Sequence, residues 1–87
     1  MNPDKLLSRY AAGERDFCLI DINGATLTGA TLRAVDLTHA NLSQTKLVQA
    51  NLSHATLHNT NLQEADLQGA NLRGADLSGA DLMGANL

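Results

Sequence analysis

From Phe17 to Leu87 a bulky apolar residue returns at every fifth position: Phe17, Ile22, Leu27, Leu32, Leu37, Leu42, Leu47, Leu52, Leu57, Leu62, Leu67, Leu72, Leu77, Leu82 and Leu87. These fifteen centres never slip phase, and Ala stands two residues before ten of them, the exceptions being Arg15, Ile20, Val35, Thr45 and Thr60. A straight helix cannot use this spacing, because five steps of about 100° turn each leucine roughly 140° from the last. A flat strand fails too, since an odd period sends successive leucines to opposite faces. The pattern works if the chain bends once per repeat. Ala and Leu then point inward from a short extended piece, the residue between them points outward, and the next two turn a corner. The expected architecture is an all-β solenoid in which each pentapeptide forms one side of a coil and coils stack about 4.8 Å apart.

The side-chain chemistry fits these roles. The outward slot holds small polar residues at Asp36, Asn41, Asn51, Asn61, Asp66, Asn71, Asp76, Asp81 and Asn86, which suit bonding to the backbone near a corner. Burying each leucine contributes roughly 1.5–3 kcal/mol, enough for a ladder to stabilise a small chain. The second residue after the centre is Gly at Gly24, Gly29, Gly69, Gly74, Gly79 and Gly84. Between them the slot holds Ala34, His39, Gln44, Gln49, His54, Asn59 and Glu64. This is the third residue of a four-residue turn, where a type II turn needs positive φ and prefers Gly. The expectation is therefore type II corners at both ends and turns without positive φ in the middle.

Before the repeats, "NPDKLLSRYAAG" reads as a short helix with Asn2 as N-cap, Pro3 at the first helical position, Asp4 at the positive end and Gly13 as terminator. Leu6, Leu7, Tyr10 and Ala11 share a face suited to covering the first coil. The predicted units are thus a capping helix over residues 1–13 and a repeat domain over 14–87. A membrane-lying amphipathic helix is disfavoured, since one short helix of nearly balanced charge binds lipid poorly. No such segment covers the other end, where the rungs from Leu72 through Leu77 and Leu82 to Leu87 are expected to expose strand edges as an assembly end.

Composition narrows the class. Aromatics are 2% of 87 residues, so the core must be built from small, regular side chains, while 44% hydrophobic content excludes a disordered chain. A net charge of −3 without a Lys/Arg cluster argues against nucleic acid as a partner. Cys18 is the only cysteine, which excludes an internal disulfide and a cysteine-based metal cluster. No apolar run has the length of a membrane span or a signal-peptide core, so a cytoplasmic location is expected.

The run "ADLQGANLRGADLSGADLMGANL" and the looser "FCLIDINGATL" resemble the pentapeptide repeat family, whose signature is A-(D/N)-L-x-x. "LLSRYAAGERDF" is similar to openings seen in cyanobacterial members. The resemblance implies a right-handed quadrilateral β-helix with four pentapeptides per coil, hence between three and four coils here. Residues twenty apart would then stack, placing Lys46 beside Asp66, a favourable pair, and Asp16 beside Asp36, an unfavourable one.

Candidate chemistry is sparse. His39, His54 and His58 all fall at corners; His39 and His58 would share one side on adjacent coils, yet solvated corner residues are favoured over a metal site because no acidic or Cys partner has tight spacing. Cys18 reads as an unpaired thiol and not a nucleophile. The outward carboxylates are dispersed and lack calcium-loop spacing. Thr26, Thr28 and Thr31 suggest an ice-binding threonine face, but the Thr28 column continues as Val48 and Gln68. Catalytic, cofactor-binding and metal residues are therefore expected to be none, and the chain is expected not to be an enzyme. The expected role is a structural or protein-interaction module with an unidentified protein partner and end-to-end self-association through the last coil. Mimicry of duplex DNA toward gyrase or topoisomerase, which the resemblance to longer family members implies, is the alternative.

Overall fold

A computed structural model of the chain describes Met1–Leu87. Eleven parallel bridges, from Asp16–Asp36 to Asp66–Asn86, each join outward residues twenty apart, so four five-residue sides make one coil. Each side uses its backbone in one way. The centre donates to the carbonyl nineteen residues ahead, as in Leu37 N to Thr56 O at 2.8 Å, and the outward residue donates backward, as in Asp36 N to Arg15 O at 2.8 Å. A turn bond closes each corner, as in Ala40 N to Leu37 O at 3.0 Å. The molecule measures 32 × 22 × 22 Å.

The corners depart from expectation. Positive φ is not confined to the glycines: Ala34, His39, Gln44, Gln49, His54, Asn59 and Glu64 all adopt it, at 54–60°, as does Leu19 at 67°. The reason lies in the ladder. At every covered corner this residue's N–H donates to the next coil, as in Gly24 to Ser43 O at 2.9 Å and His39 to His58 O at 3.0 Å. A corner without the left-handed residue would aim that N–H elsewhere. Tertiary hydrogen bonding thus overrides local preference, at about 1–2 kcal/mol per non-glycine corner. The two kinds of corner differ slightly: the corner glycines sit at 70–72°, while seven of the eight corner residues with side chains lie near the left-handed helical basin at +57°, Leu19 at 67° being the exception.

The outward slot explains its own composition. In all ten cases from Asp16 to Asp81 where it holds Asp or Asn, Oδ1 accepts the backbone N–H two residues on, as in Asn51 Oδ1 from Ser53 N at 3.0 Å. Each such side chain closes an Asx turn leading into the corner.

Inside, Phe17, Ile22, Leu27, Leu32, Leu37, Leu42, Leu47, Leu52, Leu57, Leu62 and Leu67 are all 2% exposed or less. The core ladder does not stay closed to its end: Leu72, Leu77 and Leu82 are only partly buried, because no rung of this chain lies over them. Thr45 and Thr60 take Ala positions and remain satisfied, their hydroxyls donating to Leu42 O at 2.7 Å and Leu37 O at 2.8 Å.

The helix α1 spans Pro3–Ala11, with Asn2 Oδ1 capping Lys5 N at 2.8 Å. Leu6 is fully buried and belongs to the same core as the leucine ladder, with Leu7 and Tyr10 packed against it. Tyr10 Oη donates to Arg33 O at 2.7 Å, and the Met1 ammonium donates to Asp21 O at 3.2 Å. Two cation–π contacts complete the junction: Arg9 lies 5.2 Å from the Phe17 ring centroid and Arg15 lies 3.7 Å from that of Tyr10. No helix is long and apolar enough to cross a membrane.

Candidate functional site

The walls divide by charge once the four sides are known. The first side, centred on Phe17, Leu37, Leu57 and Leu77, carries Asp16, Asp36 and Asp76 with Arg15. The second, centred on Ile22, Leu42, Leu62 and Leu82, carries Asp21, Glu64 and Asp81; the third, on Leu27, Leu47, Leu67 and Leu87, carries Lys46 and Asp66. The fourth, on Leu32, Leu52 and Leu72, carries Arg33 and Arg73 and no carboxylate. Lys46 and Asp66 are bridge partners, but their charged ends do not meet, and the one ion pair in the chain is Arg9–Glu14.

The first side holds the only concentration of reactive groups. Cys18 Sγ and carboxylate oxygens of Asp16 and Asp36 lie within 4.8 Å of one another. Hydrogen bonding of the thiol to Asp16, then burial and hydrogen bonding to Asp36, push Cys18 up to about 11. The same thiol hydrogen bond lowers Asp16, while the Thr38 hydroxyl lowers Asp36. The thiol is thus held protonated beside two carboxylates that would otherwise repel each other. The twenty-residue stacking that puts Asp16 beside Asp36 also brings Cys18 against them, although Cys18 shows no partner along the sequence. A thiol held protonated in this way is a poor nucleophile.

Higher on that side His39 and His58 do come together, their rings edge-to-face at 6.2 Å. His58 Nδ1 meets Ser78 Oγ at 2.8 Å, and Ser78 Oγ donates to Asp76 Oδ1 at 2.6 Å. The single hydroxyl proton goes to Asp76, so His58 Nδ1 is the donor to Ser78 and its Nε2 accepts from Asn59 Nδ2 at 3.0 Å. Activation of a serine nucleophile needs the opposite polarity, with histidine accepting the hydroxyl proton. His54 stands apart on the fourth side, its ring beside Gly74. The filled interior and regular walls form no cavity.

The expected assembly end has a definite chemistry. Leu87 is 71% exposed, and the N–H groups of Leu72, Leu77 and Leu82 lack the backbone acceptor that covered rungs have.

Comparison with known proteins accords with this geometry. The family model for pentapeptide repeats (8 copies) matches residues 20–53 and again 50–87, and the chain belongs to that family. Among solved structures it is similar to the pentapeptide repeat protein Rfr23 of the cyanobacterium Cyanothece 51142, with 27% identity, 99% of this chain and 71% of that one covered, and a TM-score of 0.57. It is also similar to HetL, a protein involved in heterocyst differentiation regulation in Nostoc sp. strain PCC 7120, at 39% identity over 83% of this chain, with a TM-score of 0.47. A third is QnrB1, a plasmid-mediated fluoroquinolone resistance protein, at 27% identity over 80% of this chain and a TM-score of 0.48. The chain spans 38% of the length of HetL and 39% of QnrB1. No protein of curated function matches it.

Proposed function

We propose that this chain is a non-catalytic structural and protein-interaction module: a right-handed quadrilateral β-helix of between three and four coils, closed at its N-terminal end by α1 and working in the cytoplasm. The carrying observation is that every covered outward Asp and Asn is engaged by its own corner, which leaves flat, regular walls. Such walls present shape and charge columns to a protein partner. Cross-linking in native cells, with the linked residues located by mass spectrometry, tests this. Cross-links on the outward and corner columns are expected; their absence from every wall would overturn the reading.

A second copy meeting the rungs of Leu72, Leu77, Leu82 and Leu87 end to end belongs to the same proposal, supported by their open N–H groups. Capping those rungs with a charged substitution such as Leu87→Glu should abolish that contact, read by light scattering. DNA mimicry toward gyrase or topoisomerase is less well supported, because one whole side carries arginines and no carboxylate. Inhibition of supercoiling by the purified chain would revive it.

A further inference from the structure

The charge columns match one another across copies. We propose that the fourth side of one copy docks laterally on the first side of a second copy, with Arg33 and Arg73 of one facing Asp36 and Asp76 of the other. Each pair is separated by forty residues, which is two coils, or about 10 Å along the axis. Two ladders built on one backbone repeat therefore meet in register without adjustment of either.

The acceptors are presented alike. Asp36 Oδ1 takes the N–H and hydroxyl of Thr38 at 3.1 and 2.6 Å, and Asp76 Oδ1 takes those of Ser78 at 2.9 and 2.6 Å. Asp76 Oδ2 is left for an outside donor, whereas the Asp36 carboxylate also lies against the Cys18 thiol. The Arg33 and Arg73 side chains have no hydrogen-bond or ion-pair partner within the chain and are exposed. Between them the outward column is small and polar, with Thr31, Asn51 and Asn71, and the exposed His54 is the one bulky side chain, set at the corner of that wall. The second side fits less well: Asp21 and Asp81 are three coils apart, and Asp81 is already bound by Gln63.

This contact is heterologous, so each copy keeps one open donor side and one open acceptor side, and assembly continues past a dimer. It rests on exposed charge pairs, which makes it weak and readily screened by salt. It is independent of end-to-end contact through the last coil.

Sedimentation velocity over a wide concentration range tests the proposal. At low ionic strength the average mass should rise with concentration beyond that of a dimer, and high salt should return it to the monomer. Arg33→Gln with Arg73→Gln, or Asp36→Asn with Asp76→Asn, should weaken association about tenfold. Both double variants should fold, because Gln63 and Gln68 already occupy the first slot and Asn41 and Asn51 the second; far-ultraviolet circular dichroism checks this. Arg33→Glu/Arg73→Glu mixed with Asp36→Lys/Asp76→Lys should associate although neither does alone, Lys46 showing that the outward slot accepts lysine. A monomer at every concentration in low salt would overturn the proposal. So would association that neither salt nor these substitutions change, which would instead identify the end contact.

Discussion

The middle coils and the last coil share one backbone and differ in almost everything laid upon it. Leu37 to Leu67 are sealed, while Leu72, Leu77 and Leu82 are half-open. Middle corners carry side chains in a conformation that costs them energy, whereas the last coil turns on glycine throughout, at Gly69, Gly74, Gly79 and Gly84. The two regions also interlock. A Cβ at Gly74 would lie 2.7 Å from His54 Nδ1, one at Gly69 3.2 Å from Gln49 Cγ, and one at Gly84 3.1 Å from Glu64 Cγ. The glycines of the last coil therefore serve twice, turning the chain and leaving space for the side chain of the corner below. By contrast Gly24 and Gly29 have nothing within 4 Å of an added Cβ. Glycine at those corners answers only the backbone.

The largest test of this contrast is in the ladder. Leu57→Ala should destabilise the fold by about 2–5 kcal/mol, since the cavity it leaves is enclosed on all sides. Leu82→Ala, on the half-open rung, should cost clearly less. Urea denaturation of both variants measures the difference, and equal losses would mean that the last coil is covered in solution.

At the corners the effects are smaller. Gly74→Ala should cost about 1–2 kcal/mol for its left-handed backbone, with a further loss from crowding His54. Gly29→Ala should show the backbone cost alone. If the two variants melt together, the space over the last-coil glycines has no energetic role. Asn59→Gly in the middle should be close to neutral, because relief of backbone strain is offset by the greater flexibility glycine gives the unfolded chain.

Acid bears most on the first side, although Asp81 on the second side is also lowered, chiefly by the Gln63 side chain. Asp36 and Asp76 are held below the ordinary value of 3.8, chiefly by the hydroxyls of Thr38 and Ser78. The unfolded chain then binds protons more readily, so the stability these groups supply is present above that value and is lost as pH falls through their folded-state values. Melting temperature should drop on acidification below about pH 4, and less steeply in Asp36→Asn with Asp76→Asn. At the alkaline end, Cys18 is raised from 9.0 to about 11. Its contribution is complete below the first value and fades as pH rises through the second, so its alkylation at neutral pH should be slower than that of a free thiol. That is the smallest effect, and it is visible only as a rate.

Much of this is legible in the sequence alone. The phase of Leu and Ala identified inside and outside, because a residue every five positions can share one interior only if the chain turns each time. What could not be read was set by neighbours twenty residues away. His39 and Gln44 carry no local sign of a left-handed backbone; the carbonyls of His58 and Gln63 impose it. Cys18 is similarly mute until Asp36 is placed above it, and the basic wall exists only once Arg33 and Arg73 share a column. Lys46 and Asp66 show the reverse error: adjacency followed from the spacing, but two flexible exposed chains need not close an ion pair.

The equality of the four sides has one more consequence. Five residues added anywhere among the repeats would leave every leucine facing inward, yet would rotate all later columns by one wall. Asp76 would move from the first side's column to the second side's, and Arg73 would leave Arg33. The interior is thus indifferent to an operation that rewrites the exterior completely. Chains of this kind can trade recognition surfaces by duplication or loss of a single unit, with the fold untouched.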